Sequence, residues 1–381
     1  MLESMISMMP PPLEKAPRLG YKVFDIEIHC MPTSLDAVGK YLPKLYRPRF
    51  EAYFSGAHPP NFDQRGGNLR HDTDVSDGGP PASNPELIRR QLLDPFHIEW
   101  GICTGLFYTL PVYPDPDYAA AVASAHNDWM FNEMVAGDPA FLGAITIAPQ
   151  NVEKSVKEIE RWANHPKAVE VFMSTAGPLP LGHRSLHPIY EAAAAHKLPV
   201  AAHTTVEGKG NSGPHTGAGY ASRYLEYHTG LASTSICNTA SLVCEGVFEK
   251  FPDFQFVLLE GGVSWVLPLM WALDAHWKQL REEMPQLQEL PSTYLKRQMF
   301  YTTQPIEEPG SPRDLIQTYE QIGGNTQIMF SSDYPHWDFD NPFVILPGST
   351  AADLKRRILR ENAMALYGHR LPSHISEGTR S

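Results

Sequence analysis

The 381-residue chain is poor in several features that would point its function elsewhere. It has four cysteines, Cys30, Cys103, Cys237 and Cys244, none in Cys-x-x-Cys spacing. That excludes a disulfide-stapled scaffold or a thiolate cluster and suits free thiols in a reducing cytoplasm. No run of about 18 apolar residues occurs, so no membrane-spanning helix is expected. Residues 1–20 are rich in Met and Pro but lack the basic start, long apolar stretch and cleavage site of a secretion signal. Positive charge is also scarce: 31 Lys and Arg stand against 43 Asp and Glu, for a net charge of -12 without a basic cluster. Nucleic acid and anionic membranes are therefore poor partners, and a small molecule is the expected one.

What is present suits a large folded enzyme. Hydrophobic residues make up 42% of the chain, and 35 prolines predict long ordered loops around a rigid frame. Eight short β-rich runs occur, at 22–28, 98–103, 141–147, 168–173, 198–203, 254–259, 299–303 and 326–331. Between them lie helical segments at 117–136, 151–165, 185–197, 219–250, 264–283 and 312–322, with a last amphipathic one near 350–366. Near-continuous apolar runs alternating with helices predict a parallel β/α barrel. An open doubly wound sheet is the alternative, but no Gly-x-Gly-x-x-Gly follows the first strand. The barrel is expected over 21–368, with tails at 1–20 and 369–381. The first connection, 30–97, is long enough to form a lid or pocket wall. Its Asp72, Asp74, Asp77 and Gly78 are only superficially like a calcium loop, because the Gly falls one place late and no Glu closes it.

The first strand, Lys22 to Pro32, poses the chemical question. Asp25, Glu27 and His29 interrupt an apolar strand at every second position, which by strict alternation puts all three on one face. Burying them unpartnered would cost several kcal/mol, so a cation or a buried ion pair is required. The carboxyl ends of barrel strands converge on one mouth. There the fifth strand ends in His203, the sixth in Glu260 and the eighth in Asp333, with His336 close behind. Glu27, His29, His203 and Asp333 would give one divalent ion two imidazoles and two carboxylates, a set suited to zinc, manganese or iron.

The motifs "DIEIH", "AAH", "FEKFPDFQFVLLEGG" and "FSSDYPH" resemble the amidohydrolase-related family, in its branch around aminocarboxymuconate-semialdehyde decarboxylase. The likeness runs from about residue 22 to Gly368. It implies a distorted (β/α)8 barrel with one divalent metal per chain, zinc being expected, on Glu27, His29, His203 and Asp333. It also suggests a homodimer, to which the Trp265–Trp277 helix would contribute an apolar face. Decarboxylating members carry a His where this chain has Glu260, followed by Gly261 and Gly262. This departure from the resemblance points to a hydrolase using metal-activated water on a small carboxylic, lactone, amide or aromatic-derived substrate. Asp333 and Glu260 would move protons, with His228 replacing the missing imidazole. The alternative is a non-oxidative decarboxylase of a hydroxybenzoate- or muconate-type acid, and a catalytically dead binding barrel is the reading from another class. Arg70, His71 and His336 are the expected substrate-binding residues. His126, His165, His187, His196 and His276 are expected to be structural.

Overall fold

The computed structural model describes residues 19–50, 69–70, 73, 79–105, 107–204, 207–208, 210–214 and 217–372. Eight parallel strands pair in sequential order: β1 (Val23–Ile28), β2 (Ile98–Cys103), β3 (Phe141–Thr146), β4 (Ala168–Ser174), β5 (Val200–His203), β6 (Phe256–Leu259), β7 (Met299–Thr302) and β8 (Ile328–Met329). A bridge between Ile28 and Tyr334 closes the ring, together with a hydrogen bond from the Ile26 amide to the Phe330 carbonyl (3.2 Å). The expected (β/α)8 barrel is therefore the fold. No described helix is long and apolar enough to cross a membrane.

The chain makes a barrel because almost every strand residue is apolar on both faces, as a sheet walled by helices requires. One face of the strands packs outward on the helices: Val171, Val200 and Phe256 share a cluster with Ile159, Ile189 and Val266. The other fills the lumen, where Phe24, Ile26, Trp100, Phe172 and Leu259 meet Tyr367 of the C-terminal helix. The helical coat comprises α1 (Leu35–Gly39), α2 (Pro85–Ile88), α3 (Pro116–Trp129), α4 (Val152–Trp162), α5 (His187–Ala195), α6 (Tyr224–Cys244), α7 (Val247–Lys250), α8 (Val266–Leu280), α9 (Pro291–Gln298), α10 (Pro312–Ile322), α11 (Gly324–Gln327), α12 (Ala352–Arg356) and α13 (Asn362–Tyr367). Asn151 caps α4 through the Lys154 amide, as its sequence position suggests. The segment predicted as one helix over 219–250 is two, broken where Gly246 takes a φ of +71°. Helix α9 has no sequence expectation. Pro291 at its first turn is a start signal, but its polar composition hides the apolar stripe.

The strict alternation expected of β1 fails, and the reason is local. Asp25 pairs with Gly101 and Ile28 with Cys103, so three steps on β1 match two on β2. This bulge changes which way the side chains point, as bulges beside functional sites often do. Ile26 stays in the lumen with Phe24, whereas Ile28 joins the outer cluster. Asp25 instead turns to the β8 side, accepting from the Ser332 amide (3.0 Å) and the Glu27 amide (3.2 Å). Its burial pushes the pKa up to about 7 against the pull of those hydrogen bonds. Asp25 thus braces the β1–β8 seam.

On α8, Trp265 and Trp277 are buried, and Trp271 is 60% exposed. Of the expected tails, only residues 19–20 and 369–372 are described, and Arg370 already donates to the carbonyls of Ala168 (2.8 Å) and His196 (3.3 Å).

Candidate metal centre

The carboxyl ends of four strands bring their polar residues together. Glu27 and His29 come from β1, His203 from the last position of β5, Glu260 from just after β6 and Asp333 from the turn after β8. The Glu260 carboxylate oxygen Oε1 lies 2.8 Å from His203 Nε2 and 3.1 Å from His29 Nε2. Glu27 Oε1 is 3.3 Å from His203 Nε2 and 3.9 Å from His29 Nε2, while Asp333 Oδ1 is 2.9 Å from His29 Nε2. His336 Nδ1 meets Asp333 Oδ1 at 2.5 Å, and its ring sits 4.4 Å from that of His29.

Two overlapping groups follow, each with one donor atom per residue within 4.8 Å of the others: Glu27, His29, His203 and Glu260; and His29, Glu260, Asp333 and His336. Of the four residues expected to bind metal, Glu27, His29 and His203 fall in the first group and Asp333 in the second, and Glu260, like His29, is common to both. Glu260 reaches that place through a strained turn. Its φ is +50° and that of Asp333 +57°, a region non-glycine residues avoid unless their surroundings enforce it. The two glycines after Glu260 make the turn possible. A Cβ on Gly261 would lie 2.6 Å from Leu258, and Gly262 has a φ of +62°.

The electrostatics fit a cation. Burial opposes the charge of Glu260, but His203, His29 and Asp333 outweigh it and hold its pKa well below the ordinary carboxylate value. Burial, and then repulsion from Glu260, push Glu27 and Asp333 the other way. Three carboxylates thus compete for protons in one desolvated place. Ser331 donates to Glu27 Oε2 (2.8 Å), but the buried Oε1 has no hydrogen-bond partner. An inward-facing oxygen without a hydrogen bond, among imidazole nitrogens and carboxylates, is what a divalent ion with N/O preference would satisfy.

The surrounding residues divide. His228, on α6, is 3.2 Å from Asp338 Oδ2. Its burial favours the neutral ring, yet Asp338 prevails and the pKa is raised. Gln304, just after β7, donates to both Asp338 Oδ2 (2.9 Å) and Asp333 Oδ2 (3.2 Å), tying this pair to the cluster. Arg70 is buried in the first connection, its guanidinium 4.2 Å above the Phe339 ring, and Leu69 bridges to His336. That connection therefore supplies part of the wall. His71, Asp72, Asp74, Asp77 and Gly78 lie outside the described residues. Sequence reasoning missed Gln304 and Asp338. The rule that found His203 and Glu260, a polar residue at a strand end, applies equally to Gln304 after "FYTT". Asp338 carries only the weaker signal of sharing a loop with Asp333.

A family model described as Amidohydrolase matches residues 25–369. Among solved structures, an amidohydrolase from Mycobacterium avium subsp. paratuberculosis superposes with a TM-score of 0.66 at 20% identity, covering 92% of this chain and 100% of that one. A 2,6-dihydroxybenzoate decarboxylase complexed with 2,6-dihydroxybenzoate gives 0.64 at 20% identity, covering 91% and 99%. The 5-carboxyvanillate decarboxylase from Novosphingobium aromaticivorans, complexed with manganese and 4-hydroxy-3-methoxy-5-nitrobenzoic acid, gives 0.64 at 19%, covering 92% and 97%.

Proposed function

The chain belongs to the amidohydrolase family, and from that premise we propose that it is a divalent-metal-dependent carboxy-lyase that removes CO2, without redox chemistry, from a small hydroxylated aromatic acid. The observation that carries this reading is the His228–Asp338 pair, a proton donor anchored beside the carboxylate–imidazole cluster. The decarboxylases among the similar structures support it. The hydrolase expected from Glu260 is the second reading, favoured by one fact: Glu260 is held ionised and could take a proton from water.

Glu27, His29, His203 and Glu260 would hold the cation, with Asp333 beside it. Once bound, it supplies positive charge and Lewis acidity at this spot. One objection to decarboxylation is that the Glu260 carboxylate would repel an anionic substrate. It weakens when Glu260 itself faces the cation. Zinc, manganese and iron all suit the donors, and manganese is the first to test because a similar structure carries it.

In the reaction, the ring-to-carboxylate bond breaks, its electron pair stays on the ring carbon, CO2 leaves and a proton fills the vacated position. His228 is suited to donate that proton because Asp338 raises its pKa against the opposing effect of burial. Gln304 fixes Asp338 relative to Asp333, so donor and cluster hold one spacing. Arg70, whose guanidinium stacks on Phe339, would supply a fixed positive charge for the substrate's anionic groups. The test is turnover of manganese-loaded protein on hydroxybenzoates in D2O. Decarboxylation releases CO2 and leaves deuterium on the vacated carbon. Turnover of lactones or amides with no CO2 from any hydroxybenzoate would establish the hydrolase instead. A second copy docking on Trp271 would make the dimer the resemblance implies, and a monomer mass by light scattering at micromolar concentration overturns it.

A further inference from the structure

Side-chain exposure rises from the centre outward. His29 and Glu27 are fully buried, Glu260 is 10% exposed, Asp338 14%, His228 22% and Trp337 44%. Trp337 and His228 are thus the more exposed neighbours of the buried cluster, and an aromatic ring, Tyr224, packs beside both. Trp337 stands between His336 and Asp338 in sequence, two residues committed to the centre, yet its own ring points to the rim. The indole Nε1 donates to the Tyr224 hydroxyl (3.3 Å), holding the ring in place. Its centroid lies 5.8 Å from that of His228 and 6.2 Å from that of Tyr224, with Tyr224 and His228 5.5 Å apart.

A tryptophan normally contributes by burying its large surface, and this one leaves nearly half of it in water while its orientation is fixed. The histidine it flanks is the proposed proton donor. We infer that Trp337 and Tyr224 form a substrate subsite, and that the natural substrate carries a second planar or apolar group that stacks on this wall while its acid group faces the cluster. The inference rests on the proposed carboxy-lyase reading and narrows it to aryl- or alkenyl-extended hydroxy acids. An incoming ring covers exposed indole and gains an offset or edge contact, together worth about tenfold or more in affinity.

The experiment is calorimetric titration of the manganese-loaded full chain with salicylate, a hydroxynaphthoate and a phenyl-substituted salicylate. At least one extended acid is expected to bind about tenfold more tightly than salicylate. W337A should bring the affinities together, and W337F should keep part of the preference. A thermal melt checks that each variant is folded, which Trp337's exposure favours. Equal affinities in the unaltered protein, or a preference that survives W337A, overturn the subsite and leave the carboxy-lyase reading intact. Failure of all three acids to bind overturns that reading, and the subsite with it.

Discussion

Two buried glutamates of this barrel meet opposite fates. Glu260 lies at the mouth between the imidazoles of His29 and His203 and is held ionised. Glu170, on β4, lies inside the barrel, where the Tyr367 hydroxyl donates to its Oε2 (2.6 Å) and its Oε1 has no hydrogen-bond partner. Burial pushes its pKa up to about 8, and the Tyr367 bond offsets only part of that. Desolvation thus acts on both in the same direction, and the neighbours decide the outcome. A carboxylate among imidazoles stays charged and can bind a cation. One among Phe, Val and Tyr becomes a neutral filler of the core.

The largest expected break in this contrast comes from removing the imidazole that keeps Glu260 charged. H203A should lose bound manganese, measured by elemental analysis after desalting, with at least a tenfold drop in affinity and a corresponding loss of turnover. Full metal content with unchanged turnover would dissolve the cluster as a metal centre. H228N should retain its metal but release CO2 about 10²-fold more slowly, as loss of a general acid does. Because His228 is raised by Asp338, the unaltered enzyme's activity should fall as pH rises through its pKa, and D338N should move that limb to lower pH. E260Q tests the mouth carboxylate directly. Turnover is expected to fall about 10²-fold, with metal binding weakened about tenfold, and near-normal values for both would reduce Glu260 to a pocket brace.

The sequence revealed the charged region better than the neutral one. Strand runs ending in His203, Glu260 and Asp333 were legible because β/α barrels put their strand ends at one mouth and strand interiors are otherwise apolar. Two things were not legible. The bulge that separates Asp25 from Glu27 depends on pairing with β2, which no local pattern encodes. The part played by Glu170 was hidden too, since "AVEVFM" reads as a strand with one polar interruption, and only the fold shows that Tyr367, 197 residues later in the chain, reaches it. Likewise, no local pattern announces the positive φ of Glu260 and Asp333.

The effect expected of Glu170 falls on stability rather than on turnover, and pH reveals it. Its pKa is about 4.5 when unfolded and about 8 when folded. Below the lower value the acid is protonated in both states, and its contribution to stability is fully present. As pH rises between the two values the unfolded chain releases the proton while the folded one retains it, so unfolding is increasingly favoured. Above about pH 8 that loss is complete. E170Q keeps an acceptor for the Tyr367 hydroxyl and cannot ionise. Its melting temperature should therefore match that of the unaltered protein within a few degrees near pH 5 and exceed it near pH 9. The gap near pH 9 corresponds to a free energy on the order of 5 kcal/mol. Differential scanning calorimetry at the two pH values reads it. Parallel melting curves across the range would mean that Glu170 is charged in the folded barrel, and that a cation or a protonated partner inside the lumen has the same hold on it as the mouth has on Glu260.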